Sequence, residues 1–238
     1  MSAAGADGRP GIGRRLAAAA VAIATALVIT GAAIALFFNP VWVSFAQGRA
    51  DAAAYTGWTA EQVDAVTRDI VLEVWLGPGS FEQAVAGQPV FDERERAHMA
   101  DVRSVVLSFY AVVLAALLVL LVAGFASRGS RWFRGAVALG AGGLAVGAVA
   151  VGISFAVFFD RAFAIFHQLF FAEGSWTFDP ATDRLVQLFP DQFWTETSVA
   201  IAIAVLGLAV IVWAVARPRA RTSGPAAEQG TVPADVES

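Results

Sequence analysis

Apolar positions fall into four long uncharged runs, Leu16 to Phe38, Ser104 to Ala126, Gly135 to Phe159 and Thr197 to Ala216. Each reaches or exceeds the ~20 residues that cross a hydrocarbon core as a helix. Between the first two runs and between the last two lie polar, acid-rich segments, 39–103 and 160–196, with helical signals of their own. Thr59 followed by Gln62 is a capping box for a helix through about Trp75, with Val63, Val66, Ile70, Val74 and Trp75 on one face; LGPGS at 76–80 stops it. Asp92 with Glu95 caps a second helix, with Phe91 in the staple position, and this one runs unbroken into the second span. Farther on, Asp179-Pro180 marks a turn. The stretch from Asp183 to Phe189 reads as an amphipathic piece lying on the membrane with Leu185, Leu188 and Phe189 towards lipid, and Pro190 opens the helix that becomes the fourth span. The third span carries Gly140, Gly142, Gly143, Gly147 and Gly152. The Gly143/Gly147 pair has the small-xxx-small spacing of close helix packing.

Composition places the chain among membrane proteins: 58% of its 238 residues are hydrophobic, only 15% are charged, and mean hydropathy is +0.65. Charge orients the spans. Arg9, Arg14 and Arg15 precede the first span, Arg128, Arg131 and Arg134 fill the link between the second and third, and Arg217, Arg219 and Arg221 follow the fourth. Basic residues near helix ends stay in the cytoplasm, so both termini are expected inside. The two acid-rich segments hold sixteen of the twenty acidic residues and are expected outside. The organisation read here is all-α: a disordered N-terminus over 1–13, a four-helix membrane domain over 14–216 whose two helical outward-facing segments form an extracytoplasmic cap, and a disordered tail over 217–238. Arg14-Arg15 before an apolar run is also the pattern of a secretory signal. At 23 residues, however, the run exceeds the ~7–15 of a signal's apolar region and reads as an anchor. The absence of cysteine excludes disulfides, thiolate ligation and a cysteine nucleophile, and a net charge of −4 leaves no basic groove for nucleic acid.

The chain has two histidines, and both fall near the outer ends of spans, beside carboxylates. His98 shares a helix face with Glu95 and Asp101, one turn from Arg94. His167 follows the apolar stretch Phe163, Ile165, Phe166 and precedes Trp176 and Phe178, aromatics of the kind that settle at the headgroup level. No zinc-type histidine spacing occurs, and Ser175 in EGSWT lacks the glycines of a nucleophile elbow. Proton transfer by two neutral imidazoles fits these residues, since histidine titrates near neutrality, with Asp101 or Glu95 fixing one tautomer. A metal held by the histidines with Asp101 or Asp183 is an alternative, and so is a plain surface or capping role. A site requires the two histidines to converge in space.

HMADVR preceded by acidic residues, and FHxxFFxxxSWxFDPxxDxLxxLFPxxFW, resemble the two signature blocks of a bacterial family of four-span integral membrane proteins that includes the lipoprotein intramolecular transacylase. The resemblance implies acyl migration within a bacterial lipoprotein, from the sn-2 position of the diacylglyceryl group to the α-amine of its N-terminal cysteine. It places the family's catalytic histidines on His98 and His167. Asp101, Arg103, Trp176, Asp179, Asp183 and Arg184 fall in the same blocks and become candidates for supporting or substrate-orienting roles. The resemblance implies membrane-anchored lipoproteins as substrate, membrane lipids as surroundings, no cofactor and no metal; oligomeric state is not set by these residues. The rival readings are a histidine- or metal-dependent membrane lipid hydrolase and a non-catalytic lipid- or protein-binding membrane subunit. Transport ranks last, because the spans carry no series of ionisable residues.

Overall fold

The computed structural model describes residues 11–217. In chain order these form α1 (Ile12–Phe37), α2 (Pro40–Arg49), α3 (Ala52–Thr56), α4 (Ala60–Leu76), a two-stranded antiparallel hairpin of β1 (Ala84–Val85) and β2 (Gln88–Pro89), α5 (Glu93–Ser127), α6 (Arg131–Val157), α7 (Phe159–Phe170), α8 (Arg184–Leu188) and α9 (Asp191–Ala216). Most of the two terminal segments expected to be disordered lies outside the described residues, and α1 already begins at Ile12.

Four of these helices, α1, α5, α6 and α9, are long and apolar enough to cross a membrane. They form a bundle in which α1 packs against the other three and α6 runs along α9. The bundle interior is built from small residues: Ala141 and Ala209 are fully buried beside Ile29. Large apolar side chains point outward, Phe125 at 90% exposure and Val146 at 75%. Lipid inverts the packing rule of a soluble core, because it solvates Leu and Phe as well as a protein interior does and leaves close backbone approach to hold helices together. The closest approach lies at Gly140, where a Cβ would collide with the backbone of Ala22 in α1. The Gly143/Gly147 pair faces open space instead, so the crossing is set one turn earlier than its spacing suggested.

The alternating direction of the spans gathers Arg14, Arg15, Arg128, Arg131, Arg134 and Arg217 at one end. There Arg134 Nη2 donates to Val215 O at 3.2 Å, tying the start of α6 to the end of α9. At the opposite end α2, α3, α4, the hairpin, the first turns of α5, α8 and the start of α9 enclose a second core around Phe81, Ile70, Val74 and Leu188. Local side-chain caps start three helices of this cap. Asn39 Oδ1 accepts from the Val41 and Trp42 N–H groups ahead of α2, and capping boxes at Thr59 and Asp92 open α4 and α5. A buried amide carries the long-range link: Gln47 accepts from Thr67 Oγ1 at 2.8 Å and donates to Leu188 O at 2.8 Å.

Two expectations are corrected in the cap. Leu185, Leu188 and Phe189 face this core rather than lipid, because the cap already presents an apolar surface for them. Phe91 is 2% exposed and belongs to the same core; the position it would staple to is Arg96, which offers no apolar partner. The apolar stretch that continues past the third span is divided between two helices. It breaks at Phe158 (φ −129°, ψ 45°) and restarts as α7. Leu169 and Phe170 of α7 are exposed, whereas its His167 is buried.

Candidate active site

α5 has 35 residues and is therefore about 52 Å long at 1.5 Å per residue, well over the ~30 Å of a hydrocarbon core. Its uncharged part begins at Ser104. The turns before it carry Glu93, Arg94, Glu95, Arg96, Asp101 and Arg103 and stand outside the spanning segment, in the cap. His98 lies in those turns, 6% exposed, and His167 lies near the end of α7, 8% exposed.

The two imidazoles face each other, ring centroids 6.2 Å apart and planes inclined by 21°. Aromatic rings surround them. Phe171 packs on both, at 4.9 Å from His98 and 5.4 Å from His167, Phe178 lies 5.4 Å from His98, and Trp176 lies 5.0 Å from His167. Phe163 is nearest, 4.0 Å from His167 in the preceding turn. His167 Nδ1 lies 2.8 Å from the Phe163 carbonyl oxygen. A carbonyl only accepts, so Nδ1 carries the hydrogen, and in the neutral ring the lone pair sits on Nε2. His98 Nδ1 is buried with no hydrogen-bond partner.

Burial penalises a charged imidazole. It pushes His98 down to about 4, helped by the neighbouring His167 and opposed by Asp101. His167 is also lowered by burial, against the raising effect of its bond to Phe163 O. Both rings are neutral at pH 7.

The carboxylates expected to fix a histidine tautomer do other work. Glu95 turns away from His98: its carboxylate accepts from Leu185 N at 2.7 Å and from Asp92 N at 2.8 Å, and burial holds its pKa above the usual range. Asp101 is exposed and acts on His98 only through its charge. The tautomer of His167 is set by a backbone carbonyl of its own helix.

Asp183 joins the two signature blocks. Arg94 Nη2 donates to its Oδ2 at 2.6 Å, and the Asp179 N–H donates to the same oxygen at 2.7 Å. Arg94 also lies 4.8 Å over the Phe178 ring, the ring that touches His98. Asp179 Oδ1 closes its turn by accepting from Ala181 N. The bonds of Arg103 go to the carboxyl end of α4, at Glu73 O and Gly77 O. Arg184 donates to Thr56 O and to Gln187 Oε1, and lies over Trp58. Arg103 and Arg184 therefore hold the cap together rather than face the imidazoles. Trp176 and Phe178, read from sequence as headgroup aromatics, are walls of the histidine pocket. Sequence reasoning missed Phe163 and Phe171, although their spacing of four on either side of His167 puts them on its helical face or just past its end. Among the described residues no group of three or more histidines, aspartates or glutamates gathers to hold a metal ion.

The family model of the lipoprotein intramolecular transacylase Lit matches residues 18–194, which include both histidines and every wall of their pocket. No curated protein matches the chain. Its fold is similar to that of the membrane-integral lipoprotein intramolecular transacylase Lit from Bacillus cereus, with a TM-score of 0.73 at 19% identity over 87% of this chain and 95% of that one. Variants of that protein with one histidine replaced by arginine or by alanine give TM-scores of 0.67 and 0.66, at 18% and 19% identity, over 85% of this chain and 90% and 91% of theirs. With a four-span bundle, a helical cap at one end of it and a match that covers most of its length, the chain belongs to the lipoprotein intramolecular transacylase Lit family.

Proposed function

We propose that this acyltransferase moves the sn-2 acyl chain of a lipoprotein's diacylglyceryl-cysteine onto the α-amine of that cysteine, with His98 and His167 as its acid/base pair. The observation that carries the reading is the pair itself: two buried, neutral imidazoles face to face, one with its base nitrogen defined by the bond to Phe163 O. An α-amine with a pKa of roughly 7.7–8.0 is largely protonated at neutral pH. His167 Nε2 takes a proton from it, the freed nitrogen attacks the ester carbonyl, and the new C–N bond forms as the carbonyl electrons move onto oxygen. When those electrons return, the bond to the glyceryl oxygen breaks. That oxygen leaves with a proton returned through the imidazoles, His98 standing beside the path, and the attacking nitrogen gives up its second proton to the vacated imidazole for release to water, so the products are an amide, an alcohol and one proton.

Nucleophile and ester belong to one substrate, so orientation supplies most of what is needed, on the order of 7–11 kcal/mol in well-aligned cases. No serine or cysteine nucleophile has to be provided. The aromatic walls at 4.0–5.4 Å from the rings exclude water, which favours transfer to the amine over hydrolysis. The one-sided arginines support an orientation in a bacterial cell membrane with both termini in the cytoplasm and the cap, with its site, on the outer face.

The test is mass spectrometry of a lipoprotein's N-terminal peptide from cells lacking other N-acylating enzymes, with this protein or its His98→Ala or His167→Ala variant. An N-acyl, S-monoacylglyceryl cysteine formed only by the parent is the expected product. Release of free fatty acid, abolished by a chelator, would replace the transfer by metal-dependent hydrolysis. A phenotype untouched by either substitution would leave a binding subunit.

A further inference from the structure

Two of the four buried side-chain polar atoms that lack a partner among the described residues lie in the histidine pocket: His98 Nδ1 and Trp176 Nε1. The indole is the more telling. Its N–H only donates, and a buried donor left unanswered destabilises the fold. Two other indoles are answered from within: Trp42 Nε1 donates to Thr197 Oγ1 at 3.2 Å and Trp75 Nε1 to Phe38 O at 3.1 Å. Trp176 is held just as definitely. Gly174, at φ +81°, turns the chain ahead of it, Ser175 bonds back to Ala172 O through both its amide and its hydroxyl, and the indole ring lies 5.0 Å from His167, tilted by 35°. The donor is fixed beside the imidazole that carries the defined base nitrogen, and no acceptor among the described residues meets it.

We infer that Trp176 Nε1–H is an oxyanion donor: it bonds the carbonyl oxygen of the migrating acyl group and strengthens that bond as the oxygen gains charge. This rests on the acyl migration proposed above. Attack by the amine moves the carbonyl π electrons onto the oxygen; the indole keeps its proton and stabilises the charge by hydrogen bonding alone. The charge then returns to re-form the carbonyl as the glyceryl C–O bond breaks. A fixed, buried donor suits this task, because it needs no reorganisation when the charge appears. Neither imidazole has to supply that hydrogen bond, which leaves both free to carry the proton.

The experiment uses the full chain in detergent with a synthetic diacylglyceryl-cysteine lipopeptide and compares Trp176→Phe with a variant carrying β-(3-benzothienyl)alanine at position 176, which puts sulfur in place of the N–H and keeps the bicyclic shape. Both are expected to lower kcat by on the order of a hundredfold or more with KM nearly unchanged, while melting with the parent. A benzothienyl variant with parental kcat would overturn the assignment even if Trp176→Phe fails to fold, and so would an effect confined to KM, the sign of packing alone. His98→Ala and His167→Ala run alongside. If they abolish transfer while the benzothienyl variant does not, the donor fails and the dyad stands; if they leave transfer intact, the dyad itself fails.

Discussion

Glu95 and Leu185, ninety residues apart in sequence, meet in a 2.7 Å hydrogen bond from the Leu185 amide to the Glu95 carboxylate. That bond fastens the segment between α7 and α9 to the helix that carries His98, one turn before it. The carboxylate is 3% exposed and also takes the Asp92 N–H. Glu95→Ala leaves two amides without their acceptor, at about 1–3 kcal/mol for each that stays buried, and the melting temperature in detergent is expected to fall clearly. Glu95→Gln keeps an oxygen for one of them and should lose less. An alanine variant melting with the parent would refute the clamp.

For the histidines the expected loss is catalytic rather than structural. His98→Ala and His167→Ala should each lower transfer by roughly 10²–10⁴-fold, the usual range for a general acid or base. If they act as a unit, the double variant is no worse than the more damaged single one. Rates of N-acyl product formation settle this; strictly additive losses would mean two independent roles.

The parts of this architecture legible in the sequence are those whose causes are local. Uncharged runs mark the spans, and the boxes at Thr59 and Asp92 mark helix starts within four residues of chain. What escaped depends on distant partners. Leu185 and Leu188 have the same amphipathic spacing whether they meet lipid or the cap core, and Gly140 outranks Gly143 only because Ala22 crosses there. Helix α2 and the hairpin, which turns through Ala86 and Gly87 at positive φ, were also missed. The histidines could be named as candidates, but two segments separated by a whole span had to fold before their rings could meet. The engagement of Glu95 with Leu185 instead of His98 was equally invisible, because a helix face shows which residues align and not which way a carboxylate turns.

Protonation gives a further check, since two histidines yield only two sets of imidazole resonances. His98 is expected to titrate at about 4 and His167 below the ordinary 6.5. The sign follows from linkage: with the native pKa depressed, the unfolded chain binds more protons between the two values, so stability is lost as pH falls from about 6.5 towards 4 and recovers as it rises. NMR of histidine-labelled protein, with melting curves over that window, tests it; a native histidine titrating at or above 6.5 would contradict it.

Gly140 and Gly143 make a matched pair in the bundle. Gly140→Ala drives a methyl group into the Ala22 backbone, whereas Gly143→Ala meets nothing within 4 Å. Overpacking of this kind destabilises by typically 1–3 kcal/mol, while alanine at an open helical site gains up to about 1 kcal/mol over glycine. Melting temperatures should therefore move in opposite directions, and equal shifts would mean that α1 and α6 do not cross at this point.

The unbroken path of α5 from the lipid to His98 makes that helix a ruler. Each residue advances it by about 1.5 Å and turns it by about 100°, so a single insertion between His98 and Ser104 would swing the imidazole off His167 and raise it farther from the span. The break at Phe158 frees α7 from the same rule. One side of the pair is thus graduated from the membrane, and the other is brought up to meet it.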